Sequence, residues 1–254
     1  MERWSGRVAL VTGTSSGIGT FIAYQLQDHG VHVVGVARRA DKIEGAVATA
    51  REAAKSRGRY HATKATPGKL YAKKCDLTKE EDILALFKWI KETLGGVDIL
   101  VNNAGVYWGT GLTEALTEQW QSMLNVHVLG LSICTREAVK NMRARGVDDG
   151  HIIHISSTGG HAVFSSDGAM YCACNHAVMA LTEGLRKDFV EHKSNMKVTC
   201  VSPGYVRTGS TPEEISTSPA LEPEDVADAI LYAIATPPHV QIHEIIITHV
   251  GETD

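Results

Sequence analysis

Short runs of consecutive apolar residues alternate along this chain with longer stretches whose apolar residues recur every three to four positions. The short runs are "RVALVTG", "HVVGVAR", "KLYAKKCD", "VDILVNNAG", "GHIIHIS", "KVTCVSPG" and "QIHEIIIT". Between them lie Gly17 to His29, the alanine-rich "IEGAVATAREAAK", and "EEDILALFKWIKETL", which gathers Ile83, Leu84, Leu86, Phe87 and Ile90 on one face. Helical spacing continues over 117–143 and 171–192. Apolar runs that do not alternate with polar residues suit strands covered on both sides, and the helical stretches between them supply the cover. The pattern predicts an α/β fold with a doubly wound, parallel, seven-stranded sheet and helices on both faces. No linker rich in Pro, Gly or Ser divides it, so residues 1–254 read as one domain. Two stretches read as loose: a basic loop at 56–69 and a polar segment at 207–224.

Composition narrows the setting. A net charge of −4 gives no electrostatic reason to expect nucleic acid or an anionic membrane. No apolar run approaches the roughly 20 residues that span a bilayer. The opening "MERWSGRVALV" lacks the order of a secretory signal, and the five scattered cysteines suit a reducing compartment. The expected location is the cytoplasm.

The first candidate chemistry follows the first strand. In "TGTSSGIG" the residues Gly13, Ser15, Ser16, Gly17, Ile18 and Gly19 form a turn into a helix. Glycines there allow a tight turn and let backbone N–H groups reach a diphosphate at the helix N-terminus. This makes the fold a Rossmann-type dinucleotide binder. At the end of the second strand an acidic residue would select NAD by holding the ribose hydroxyls. The chain instead has Arg38 and Arg39, two guanidiniums able to clamp a 2′-phosphate, so NADP is the expected cofactor.

Together with "CDLT" at 75–78, "NNAG" at 102–105, "NVHVLG" at 125–130, "IIHISS" at 152–157, Tyr171 and "SPGYVRT" at 202–208, the whole chain resembles the short-chain dehydrogenase/reductase family. "LSICTREA", "VDDGHII", "LTEGLR" and "TPPHVQIHEIIIT" resemble the branch of dehydrogenase/reductase member eleven and the insect farnesol dehydrogenases. The resemblance implies NADP-dependent hydride transfer between the nicotinamide and an apolar carbonyl or alcohol: an isoprenoid, a steroid or a small diketone. It places Asp76 and Leu77 at the adenine, and Asn103, Ala104 and Gly105 along the cofactor. Pro203, Gly204, Val206 and Thr208 fall at the nicotinamide end. Ser157 would bond the substrate oxygen, Tyr171 would exchange the proton, and Asn125 would hold a relay water. It also implies a homodimer or homotetramer through the helices at 117–143 and 171–192.

The departure is Asn175, where the family pattern has lysine four residues after the tyrosine. The two positions share a helix face, so the place is right and the chemistry differs. That lysine holds the nicotinamide ribose, lowers the tyrosine pKa and joins the relay. A neutral amide provides no cation, and free tyrosine titrates near pH ~10. Carbonyl reduction needs neutral tyrosine and survives at a reduced level; alcohol oxidation needs tyrosinate and suffers more. The alternative is an NADP(H)-binding pseudoenzyme acting as sensor, carrier or partner subunit.

Tyr107, Trp108, His161, Phe164 and Tyr205 are expected around the substrate, in a pocket made open by a short polar cover carrying Pro212, Pro219 and Pro223. His176, next to Asn175, points roughly 100° around the helix and does not replace the lysine. No metal site is expected: Cys172 and Cys174, two apart on a helix, do not share a face.

Overall fold

The computed structural model describes residues 1–60, 63, 65–208 and 219–252. Seven parallel strands form one sheet in the order β3-β2-β1-β4-β5-β6-β7. They are β1 (Val8–Thr12), β2 (His32–Ala37), β3 (Leu70–Lys74), β4 (Ile99–Asn102), β5 (His151–Ile155), β6 (Lys197–Pro203) and β7 (Glu244–Ile247). All seven expected strands are present. The order reverses between β1 and β4, and the loops leaving those strands open a crevice at their carboxyl ends.

The helices are α1 (Ile18–Asp28), α2 (Ile43–Ser56), α3 (Glu80–Leu94), α4 (Thr117–Leu124), α5 (Leu131–Ala144), α6 (Ala169–Glu191) and α7 (Pro223–Ala235). Two buried clusters lie on opposite faces of the sheet. Ala9, Val11, Val33, Ile99 and Val101 pack with α1, α2 and α7, whereas Leu10, Val34, Leu100, Ile152 and Val198 pack with α3 and α5. Successive strand residues point to opposite faces, which is why each apolar run feeds both clusters.

α3 keeps the bounds read from the sequence. Glu80, Glu81 and Asp82 in its first turn suit the positive end of the helix, and Gly95 ends it with a φ of 82°. The single helix expected over 117–143 is instead α4 and α5 joined by a π turn at Asn125–Gly130. The basic loop after α2 is pinned where it is described. Arg57 reaches Glu222 at 2.9 Å and Glu224 at 3.3 Å, and Arg59 reaches Asp225 at 2.6 Å and Asp228 at 2.8 Å. The partners sit at the acidic start of α7, where Pro223 occupies the first turn. Much of the polar cover, residues 209–218 with Pro212, lies outside the described residues.

Candidate active site

The glycine turn runs directly off β1. Gly13 has a φ of 73° and Gly17 a φ of 62°, a region that favours glycine, and α1 starts at Ile18. Gly19 is glycine for space: a Cβ would lie 2.5 Å from the Gly13 carbonyl oxygen and 2.6 Å from Asn103 Nδ2. The turn is braced from β4. Asn103 Nδ2 donates to Thr12 O at 2.8 Å, while the backbone N–H groups of Asn103 and Ala104 donate to Thr12 Oγ1 at 2.9 and 3.0 Å. Thr208 closes the far side, its Cγ2 3.2 Å from where a Gly17 Cβ would stand. Ser15 is half-buried and Ser16 exposed in this turn.

Arg38 and Arg39 are exposed beyond β2. Burial pushes the Asp76 carboxyl up, but the Thr78 N–H and hydroxyl, with Arg38 nearby, hold it below the ordinary range overall. The Leu77 carbonyl approaches the end of the π turn, 2.7 Å from where a Gly130 Cβ would stand. The donor set fits a phosphorylated dinucleotide: a helix N-terminus without a side-chain cap, a glycine cradle without Cβ atoms, and two cations at the β2 corner.

Past β5, Ser157 is buried and its Oγ accepts the Gly159 N–H at 3.1 Å. Tyr171 stands in the first turns of α6. Burial raises its phenol pKa above the ordinary value, and the Ser157 hydroxyl and Asn175 amide pull it back only in part. Three rings surround it, with centroids at 5.4 Å (Tyr107), 5.5 Å (His127) and 6.2 Å (Phe164). Tyr205 extends this wall, 6.4 Å from Phe164. Trp108 is 46% exposed beside Tyr107. Pro203 ends β6, and Gly204 and Val206 follow it, Val206 bridging to Leu221.

Asn175 is turned into the protein. It is 1% exposed, its Nδ2 donates to Tyr171 O at 2.9 Å, and its Oδ1 accepts from Ser156 Oγ at 3.4 Å. The amide thus braces the helix and, without a charge, lowers the Tyr171 phenol only in part. His176 bonds Cys172 O at 2.9 Å and does not take the lysine's place.

The π turn that opens at Asn125, the residue expected to hold a relay water, brings His127 against Tyr171. His127 is buried, and its Nε2 lies 2.8 Å from Val106 O and 3.0 Å from Val106 N. Burial lowers its pKa, so the ring is neutral at physiological pH. Its Cε1 stands 2.9 Å from where a Gly105 Cβ would be, which explains that glycine. His127 is visible in "NVHVLG", but only the phase of the helix shows that its ring meets Tyr171. His161 is expected at the substrate. Its Nε2 pairs with Glu244 Oε1 at 2.7 Å at the β6–β7 edge, so its bonding is to the sheet edge rather than to the ring cluster.

The sequence pattern described as short chain dehydrogenase matches residues 7–218. The chain belongs to that family. It is 45% identical over 257 residues to "Dehydrogenase/reductase SDR family member 11" of Gallus gallus, covering 96% of each chain. It is also 45% identical to "Farnesol dehydrogenase" of Aedes aegypti, covering 99% of each. A metagenomic short-chain oxidoreductase solved in complex with NADP superposes with a TM-score of 0.77 at 29% identity, covering 97% of this chain and 98% of that one. This short-chain dehydrogenase is therefore an oxidoreductase of CH–OH or C=O groups that uses a nicotinamide cofactor. Among the described residues, no helix is long and apolar enough to cross a membrane.

Proposed function

We propose that this protein is an NADP-dependent, reduction-biased enzyme acting on apolar carbonyls, in the isoprenoid, steroid or small-diketone class. The observation that carries the reading is the setting of Tyr171: a half-buried phenol walled by Tyr107, His127 and Phe164, its pKa raised by desolvation, with no lysine four residues on to ionise it. When bound, the nicotinamide supplies the hydride. Ser157 donates a hydrogen bond to the carbonyl oxygen and fixes its position, and Tyr171 O–H gives that oxygen its proton. The tyrosinate left behind is reprotonated from solvent. In the oxidative direction Tyr171 must first lose its proton, which its raised pKa opposes. Arg38 and Arg39 support NADP over NAD, since both can meet a 2′-phosphate. Tyr107, Phe164 and Tyr205 support an apolar substrate, as does the likeness to a relative named for farnesol.

The test is NADPH consumption by purified protein over diketones, farnesal and ketosteroids, with NADH alongside. Turnover with NADPH and little with NADH is expected. Tight NADPH binding with no turnover would defeat the reading in favour of an NADP(H)-binding sensor, carrier or partner subunit. That second reading draws on one observation, the Asn175 amide locked inward where the family has a cation. We assign the protein to the cytoplasm as a homodimer or homotetramer. A groove between α5 and α6 lined by Leu131, Leu181 and Leu185 supports self-association, which sedimentation would check.

A further inference from the structure

The tail beyond β7 returns to the end of β6. Glu252 N–H donates to His249 O at 3.0 Å, closing a turn that passes through Gly251 with a φ of 93°. This aims the Glu252 side chain back into the protein. Its Oε1 accepts the Tyr205 N–H at 2.9 Å and its Oε2 accepts the His249 N–H at 3.0 Å. Gly204 is not in the left-handed region, so conformation does not demand a glycine there. The Glu252 carboxylate lies where a Cβ at 204 would stand, so a larger residue there would push the end of that side chain aside. Gly204 N–H in turn donates to Ile247 O at 2.8 Å.

Tyr205 therefore sits between two supports. Its N–H is held by the tail, and its carbonyl accepts the Leu221 N–H at 2.8 Å from the segment entering α7. Its ring lies against Phe164, and Phe164 lies against Tyr171. We propose that Glu252 is a positioning residue that sets substrate specificity: its carboxylate clasps the turn after β6 and so fixes the Tyr205–Phe164 wall beside the reacting tyrosine. Charge-assisted bonds to two N–H groups are stronger than neutral ones, which makes one carboxylate enough to hold both the tail and the turn. The proposal rests on the carbonyl-reductase reading for its substrate, but the clasp has a readout that does not.

The experiment compares the full-length chain with Glu252→Ala and Glu252→Gln. Hydrogen exchange at the Tyr205 amide, without substrate, should quicken about tenfold or more in the alanine variant and less in glutamine, which keeps one carbonyl oxygen. The ratio of kcat/KM for a ketosteroid to that for diacetyl should shift about tenfold in alanine, mainly through KM of the steroid, and return most of the way in glutamine. NADPH Kd should change less than the KM of the steroid, because the glycine turn at the diphosphate lies outside the clasp. Unchanged Tyr205 exchange overturns the clasp; faster exchange with an unchanged ratio overturns its role in specificity. Absence of turnover in the unaltered chain counts against the reductase reading alone. The ratio is then read from dissociation constants of the two carbonyls with NADPH present, and an unchanged ratio overturns the role in the same way.

Discussion

Replacing Asn175 with lysine should restore alcohol oxidation near neutral pH while leaving carbonyl reduction almost unchanged. The position is 1% exposed and lies one helical turn from Tyr171, so an ammonium there meets the phenol with little intervening water. A cation about 4 Å from a phenolate, at an effective dielectric of about 20, favours it by about 4 kcal/mol. Burying that ammonium takes part of this back; if it takes about half, about 2 kcal/mol remains. That is about 1.5 pKa units off Tyr171, or about thirtyfold more tyrosinate at neutral pH. The assay is NADPH formation from an alcohol and NADP⁺ across the pH range, for both proteins. The unaltered protein should gain activity only as pH rises into and above the ordinary tyrosine range, because burial holds its phenol pKa up. The variant's profile should lie about 1.5 units lower, and the advantage should vanish once both phenols are ionised. Reduction should differ by less than about threefold, since both phenols are protonated at neutral pH. Equal oxidation by the two proteins at neutral pH would refute the argument.

Other consequences follow from neighbouring residues. His127→Phe keeps a ring against Tyr171 but loses the Nε2 contacts to Val106; kcat should fall about tenfold with NADPH Kd unchanged, measured by steady-state kinetics and fluorescence titration. Arg38→Glu with Arg39→Glu should weaken NADPH about tenfold to hundredfold and spare NADH, as titration of both cofactors would show. Gly19→Ala drives a Cβ onto Gly13 O and Asn103 Nδ2; a loss of about 1–3 kcal/mol in denaturant unfolding is expected, with weaker NADPH binding. His154, buried between Thr135 and Thr182, is pushed down to about 3 by burial. Between its ordinary pKa near 6.5 and that value the unfolded chain binds a proton that the folded chain refuses. Stability should therefore fall as pH drops through this window, by up to about 1.4 kcal/mol per pH unit from this residue. Urea titrations at several pH values should show a shallower slope for His154→Gln.

The seven strands, α3 to the residue and the glycine turn are all legible in the sequence alone. Each rests on something local. A buried strand must be apolar on both faces, a helix announces its buried face every three to four residues, and a turn with positive φ asks for glycine. Asn175 was legible as a departure, because a missing charge can be read from one letter. What its amide does was not: a shorter lysine and an inward brace look alike in sequence.

Neither the π turn nor the contact of His127 with Tyr171 could be read from periodicity. One extra residue in a helical turn leaves the apolar spacing nearly intact while rotating everything after it relative to α6. His161 shows the same limit, since its partner Glu244 is 83 residues away. The basic loop after α2 read as loose because its acidic partners, Glu222 to Asp228, meet it only once α7 packs beside α1. Tyr205 and Glu252 are separated by 47 residues and joined by one backbone N–H that any residue but proline would offer. Local chemistry chose this protein's elements and its cofactor loop, because those depend on neighbours in the chain. The surroundings of Tyr171 depend on helix phase, sheet twist and contacts between distant segments, and these exist only after the chain has folded.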